Sequence, residues 1–328
     1  MIISKTPYRI SFFGGGSDYP NWYIKNGGEV LSTTINKYIY LSCRNLPPFF
    51  NHKHRIVWSK VELVKHANQI QHKAVKNMLN YLNIKKGLEI HYDGDLPAKS
   101  GMGSSSCFVV GLINTINALN KKKLSKKDLA EKSIHFEQKI LKETVGSQDQ
   151  IAASFGGFNK IKFFPGGKFK VYPINLDQQN INKLNKNLIL LYTGIKRTAH
   201  HIANSYVKKL NKEKKYEINQ ILDFVKEGEI LIKNKNFNEF GKLLHESWQT
   251  KKKLSNKISN SSIETIYETA IKKGALGGKL LGAGGGGFFL LYVPIEKQKK
   301  FIKHFNKFVH IPFNFEKLGS KIIFNHNN

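Results

Sequence analysis

Residues 95–110 read DLPAKSGMGSSSCFVV, a run of turn formers and glycines set directly against an apolar helical pattern. A helix is expected from Ser104 or Ser105. Gly101 and Gly103 lack the Cβ that would keep backbone N–H groups from converging, and the helix start directs its partial positive end at the same point. The product is a nest for an anion, and a polyphosphate fits it. Ser104, Ser105 and Ser106 supply three hydroxyls that can cap the helix, donate to phosphate oxygens or ligate a metal held between phosphates. Capping needs only one, so an ordinary N-cap after a flexible loop stays open on this segment alone. No G-x-x-x-x-G-K-[ST] occurs in the chain, which excludes a Walker loop.

The chain has 328 residues, enough for two domains, and a formal charge of +30. Its lysines are spread along polar helical faces, as at 121–123, 208–215, 251–253 and 297–300, beside Asn, Ile and Glu and without interleaved aromatics. That distribution argues for a compositional bias that attracts anionic substrates, and against a specific nucleic-acid surface. The two cysteines, Cys43 and Cys107, sit in apolar patterns without metal-ligand spacing, so neither structural zinc nor a disulfide framework is expected. The N-terminus lacks a secretory pattern and no run of about 18 apolar residues follows, so a cytoplasmic protein without a membrane span is expected.

Outward from the glycine-serine loop, residues 2–13 read as a strand running into Gly14, Gly15, Gly16, Ser17 and Asp18, where the backbone can approach a small ligand. Arg9 and Asp18 flank that loop, either as ligand contacts or as a mutual salt bridge. Residues 29–44 read as two strands or one bent one, 63–82 as a helix and 87–92 as a strand. Ser125 starts a helix, with Asp128 in a capping-box variant, that should run to about Leu141 and carries Glu137. Asp149 follows twelve positions later in GSQDQIAASFGG. Residues 177–187 are polar and without periodicity, so a domain boundary is placed there. Thr193 and Gly194 end a strand and Thr198 begins a helix, so Lys196, Arg197 and the free amides are expected to form a second anion site, the alternative being two more solvated charges of a very basic chain. Helical patterns cover 218–232, 237–254 and 263–272. In 275–293 a strand, a glycine run and a second strand form a hairpin. The G-x-G-x-x-G at 282–287 is not a dinucleotide fingerprint, because a strand follows it where a helix is required.

Three of these stretches together resemble the motifs of the GHMP kinases, the family of galactokinase, homoserine kinase, mevalonate kinase and phosphomevalonate kinase. LPAKSGMGSSS at 96–106 resembles the second motif, L-P-x-x-[SG]-G-[LM]-G-S-S-[AS]. Pro7, Arg9, Gly14, Asp18 and Tyr19 fit the first, and GGKLLGAGGGG at 277–287 the third. The resemblance implies a two-domain α+β fold: a ribosomal S5 domain 2-like unit over 1–180 and a ferredoxin-like unit over 181–328, with the active site between them. It implies ATP and Mg²⁺, the metal held by Ser105 and Glu137. Lys99, Gly101, Met102, Gly103, Ser104, Ser105 and Ser106 would then cradle the phosphates, with the third motif closing over them.

The same resemblance gives Asp149 the substrate hydroxyl, as base or orienting group, and gives Arg9 the developing alkoxide. Gly15, Gly16, Ser17 and Asp18, with Gly284 and Gly285, would face the substrate. Cys107 departs from the small Ala or Ser usual there, without an expected consequence. The form RISFFGGGSDYP at 9–20 is similar to the branch that phosphorylates the anomeric hydroxyl of D-glycero-D-manno-heptose 7-phosphate, for surface polysaccharide; galactokinases carry G-E-H-x-D-Y there. Arg197 would bind the phosphate that such a sugar already carries. The expected partners are a sugar phosphate and ATP, with a homodimer left open. A kinase of an unphosphorylated sugar such as fucose or galactose, and a silent sugar and ATP sensor on the same fold, remain the alternatives.

Overall fold

The N-terminal alternation forms β1 (Ile2–Phe13), which the computed structural model, describing residues 1–195 and 199–326, pairs antiparallel with β2 (Gly28–Asn45). Helix α1 (Pro20–Asn26) connects them, and β2 is one continuous strand whose register against β1 shifts twice. β3 (His54–Val57) and β4 (Val61–Val64) follow, then α2 (Lys73–Tyr81) and β5 (Leu88–Gly94). The helix expected over 63–82 is therefore only its second half. The buried Glu62 carboxylate accepts the Gln71 and His72 N–H groups, and His72 caps the helix by accepting from Val75, so the α-helix starts only at Lys73 and the chain before it holds β4 and a single 3-10 turn at Ala67–Gln69.

α3 (Ser104–Leu119) packs over β1 and β2, with α4 (Lys126–His135) and α5 (Gln148–Phe155) beside it. Ser125 caps α4 by accepting the Asp128 N–H at 3.1 Å, as its sequence implies. β6 (Phe158–Phe163) and β7 (Phe169–Pro173) extend the sheet from β2. The polar stretch read as the domain boundary holds α6 (Gln178–Lys186): the Asp177 carboxylate accepts the Asn180 N–H at 2.8 Å and the helix buries Leu184 alone, too little to leave an apolar period.

β8 (Leu188–Tyr192), α7 (Ala199–Asn204), α8 (Lys215–Lys233), α9 (Phe237–Lys252) and α10 (Ser261–Lys272) follow. β9 (Gly277–Leu280) and β10 (Phe288–Tyr292) are the expected hairpin, before α11 (Ile295–His304) and β11 (Val309–Ile311). The second sheet has the order β11-β8-β10-β9. Leu188 and Leu190 join one core cluster and Ile189 and Leu191 the other, so the period-2 alternation of β8 is buried on both faces.

The chain then leaves this sheet. β12 (Phe315–Glu316) pairs with β2 and β13 (Lys321–Asn325) with β1, completing a nine-stranded first sheet. A division at 180/181 would place these last strands in the second unit; their main-chain partners lie in the first. No helix among the described residues is long and apolar enough to cross a membrane.

Candidate active site

The phosphate-loop candidate is built from left-handed backbone: Lys99, Gly101 and Gly103 have φ of 60°, 82° and 77°. Gly103 is the N-cap of α3 and no side chain caps it, so the three serine hydroxyls are not consumed as caps. The first-turn N–H groups thus keep free donors, which is the condition for an anion nest. The glycine run after β9 lies on this loop backbone to backbone. A Cβ on Gly101 would sit 2.4 Å from the Leu281 carbonyl oxygen, and one on Gly282 would sit 2.6 Å from the Gly101 Cα. The Phe288 N–H donates to the Ser100 carbonyl at 3.2 Å, fixing the same contact from the β10 side.

Arg9 joins this loop to the second carboxylate. Its Nε and Nη2 donate to the two Asp149 oxygens at 2.6 and 2.8 Å, while Nη1 donates to the Gly101 carbonyl at 2.8 Å. The guanidinium is buried, and burial works against its charge, but the Asp149 carboxylate outweighs this and raises it above its ordinary value. Asp149 lies in the first turn of α5, and a Cβ on Gly103 would come within 3.1 Å of its Oδ2. Arginine, carboxylate and loop therefore meet at one point.

Glu137 reaches the loop from the other side. The helical pattern expected to continue to Leu141 changes at Phe136–Ile140 to a π-helical turn, whose extra residue turns Glu137 inward. Ser105 Oγ donates to Glu137 Oε1 at 3.2 Å and Gln150 Nε2 donates to Oε2. Burial pushes the carboxyl up to about 7, against favourable hydrogen bonds from Ser106 and Gln150. A fully buried carboxylate with hydroxyls beside it and no cation among its described ion pairs fits a divalent metal, whose charge would return the group to its ionised form. No group of three or more His, Cys, Asp or Glu that could hold a metal occurs among the described residues, so the remaining ligands would be phosphate oxygens and water.

Asp18 is not the partner of Arg9. It is buried and accepts the Gly16 N–H at 2.9 Å and the Gln148 N–H at 3.3 Å, tying the first glycine loop to the start of α5; burial raises its pKa. Ser17 Oγ donates to the Gly14 carbonyl at 2.8 Å, closing that loop on itself. A Cβ on Gly15 would lie 3.5 Å from Gln148 Nε2 and 3.8 Å from Ser11 Oγ, and Gln148 Oε1 and Ser11 Oγ are buried without a partner. These polar atoms lie beside the first glycine loop at Gly15.

Gly284 and Gly285 pack on the Ile258 main chain, which accepts the Gly285 N–H at 2.8 Å. Lys99 is exposed, and Met102 is buried with its carbonyl accepting the Arg9 N–H at 3.4 Å. Cys107 is buried with Sγ 3.2 Å from the Pro7 carbonyl oxygen. Lys196 and Arg197, the second anion site expected from the sequence, lie outside the described residues. Lys251, expected to be one of a solvated run, is instead buried and donates to the Leu280 and Gly282 carbonyls at 3.0 and 2.6 Å. Its place three positions after the fully buried Trp248 and seven after Leu244 is the signal that puts it on the apolar stripe.

Two sheets, a glycine nest at a helix start and a carboxylate clamped by a buried arginine define a two-domain phosphotransferase. Residues 58–157 match the family model for the N-terminal domain of the GHMP kinases, and residues 229–309 the model for their C-terminal domain. The chain belongs to the GHMP kinases, ATP-dependent phosphotransferases with an alcohol group as acceptor. It is 31% identical over 322 residues to D-glycero-alpha-D-manno-heptose 7-phosphate kinase of Campylobacter jejuni, covering 93% of each chain. To the bifunctional fucokinase/GDP-fucose pyrophosphorylase of Arabidopsis thaliana it is 25% identical over 321 residues, 90% of this chain and 30% of that protein. The crystal structure of a D-glycero-D-manno-heptose 1-phosphate kinase from Bacteriodes thetaiotaomicron superposes with a TM-score of 0.81 over 99% of this chain and 100% of that one; at 21% identity the likeness is one of fold.

Proposed function

We propose that the chain transfers the γ-phosphoryl group of ATP to the anomeric hydroxyl of D-glycero-D-manno-heptose 7-phosphate, giving the 1,7-bisphosphate for nucleotide-activated heptose in the cytoplasm. The observation that carries the reading is the Arg9–Asp149 pair, held against Gly101 and Gly103 of the phosphate loop and within electrostatic reach of Asp18 of the first glycine loop. A sugar hydroxyl placed at that pair lies beside both the nucleotide loop and the acceptor loop. Support for the sugar comes from the first-motif form RISFFGGGSDYP and from the 31% identical relative.

In this reading the amides of 101–106 and the Ser104 hydroxyl hold the phosphates, and Lys99 adds charge from the exposed rim. Ser105 and Glu137 would hold Mg²⁺, which supplies charge neutralisation between the phosphates. Asp149 accepts or orients the hydroxyl proton. Its two bonds to Arg9 hold it correctly turned, and Arg9 offsets charge as the alkoxide develops. The division proposed for the chain is 1–180 for the nucleotide and acceptor loops and 181–328 for the glycine-rich cover, with β12 and β13 returning to the first sheet.

The test is ADP release across a panel of sugars and sugar phosphates. Heptose 7-phosphate is expected to give the highest kcat/KM. Better turnover of fucose, galactose or another free hexose would overturn the substrate assignment in favour of the unphosphorylated-sugar kinases, with which the similarity to the Arabidopsis fucokinase is compatible.

A further inference from the structure

Two buried lysines lie behind the acceptor and nucleotide loops without a role in holding either ligand. Lys279, in β9, is 4% exposed and its ammonium donates to the Phe12 carbonyl at 2.6 Å. Lys251, on α9, is 8% exposed and donates to the Leu280 and Gly282 carbonyls. Among the described ion pairs the adjacent Lys252 reaches Glu264 at 2.7 Å, whereas neither Lys251 nor Lys279 has a carboxylate. A buried ammonium held by carbonyls, with at most the Trp248 ring 5.8 Å from Lys251 and no carboxylate, is a costly way to fill a core, which turns attention to what it connects.

Lys279 ties a site loop of the first unit to the second unit, and Lys251 ties the glycine turn to α9 within the second unit. The β1–β2 register passes from Ser11 opposite Ser32 to Phe13 opposite Leu31, leaving Phe12 as the extra residue of a bulge. Its carbonyl, two residues before the Gly14–Asp18 turn begins, is the one Lys279 takes from the second sheet. Lys251 holds the glycine turn, whose Leu281 and Gly282 lie on Gly101 of the phosphate loop.

We propose that Lys279 is a positioning residue that fastens the acceptor loop of the first sheet to the second sheet, while Lys251 fastens the glycine turn over the phosphate loop, so that both loops share one frame. The inference rests on the reading of residues 14–18 as the acceptor loop. The charged groups around the pair are Arg9 from β1, Asp18 from the loop itself, and Asp149 from α5, which Arg9 holds. Burial, then Arg9, brings Lys279 down to about 7; burial, then Lys279 and Arg9, holds Lys251 well below its ordinary value. As pH rises through neutrality Lys279 loses its charge, and a charge-assisted bond gives way to a neutral amine–carbonyl bond of roughly half the strength.

The experiment compares wild type, Lys279→Met and Lys279→Arg from pH 6.5 to 9, with KM measured separately for ATP and for the best acceptor of the sugar panel. Amide hydrogen exchange over residues 14–17 is followed in the same proteins without substrate. K279M is expected to raise the acceptor KM by about 5- to 10-fold at pH 6.5 and to leave the ATP KM within about twofold. Wild type should climb toward the K279M value by pH 8.5, K279M should be flat, and K279R, which keeps its charge, should not climb. The Gly16 and Ser17 amides, bonded to Asp18 and Gly14, should exchange faster in K279M. An unchanged acceptor KM with unchanged exchange, or an ATP KM that rises as much as the acceptor KM, would overturn the proposal. If no heptose phosphate is a substrate, the acceptor assignment falls on its own, and the exchange comparison still decides whether Lys279 fastens the loop.

Discussion

Gly101→Ala tests whether the contact between the phosphate loop and the glycine turn sets catalysis. The added Cβ would lie 2.4 Å from the Leu281 carbonyl oxygen and 2.9 Å from its carbon, about 1 Å inside ordinary contact, and both neighbours are backbone and cannot rotate away. The residue also holds φ at 82°, where an L side chain costs about 1–2 kcal/mol. Gly166 separates the two costs, because it has φ of 83° and nothing within 4 Å of its added Cβ. Gly166→Ala therefore carries the conformational cost without the collision. In Gly101→Ala the turn or the loop must move by about 1 Å, and a displacement of that size next to reacting groups lowers turnover by about 10²-fold. A coupled ADP-release assay on both variants, with thermal denaturation to match their folding, reads the difference. If G101A turns over within about threefold of G166A, the two glycine segments tolerate separation and the closure argument fails.

Asp149→Asn keeps the shape of the site but removes the ion pair with Arg9, and should lower kcat by about 10²–10⁴ while ATP still binds; a loss below about fivefold assigns Asp149 to structure. Ser105→Ala should weaken metal-dependent turnover more than nucleotide affinity, and a wild-type kcat at low Mg²⁺ would reduce Ser105 to a framework role. Glu137→Gln is informative in EDTA. With its folded pKa raised to about 7, Glu137 binds more protons in the native than in the unfolded state between its ordinary range and 7, so wild-type stability falls as pH rises through that window, by about 3 kcal/mol in all. E137Q has no charge to bury, so its denaturation midpoint should fall less over the same range and should gain less from Mg-ATP; parallel profiles for the two proteins would refute the buried-charge account.

Local chemistry makes much of the site legible in the sequence. The glycine-serine stretch marks the start of α3 at Ser104, Ser125 with Asp128 marks α4, and the glycines ahead of Phe288 mark a hairpin where a dinucleotide loop needs a helix. Each rests on backbone preferences confined to a few residues. What the sequence hides is set by partners distant in the chain. Arg9 has Asp18 nine positions away as its nearby carboxylate, but pairs with Asp149, 140 positions away, because strand β1 and helix α5 converge on the loop. Lys251 stands in a lysine run beside a half-buried, ion-paired Lys252 and an exposed Lys253, although it alone is buried in the core.

By itself the sequence determined the family, through the resemblance of its three motifs in order, and it singled out Glu137 and Asp149 as candidates; it also placed the helix starts and the hairpin, since glycine φ freedom, helix capping and hydrophobic period are properties of adjacent residues. The tertiary structure decided which charges meet, that Glu137 sits on a π-helical turn against Ser105, and that β12 and β13 complete the first sheet rather than the second. Those outcomes depend on which sheet edge and which buried cavity a segment reaches, and the free energy that selects them lies largely in contacts between residues far apart in the chain, a separation that no local pattern encodes.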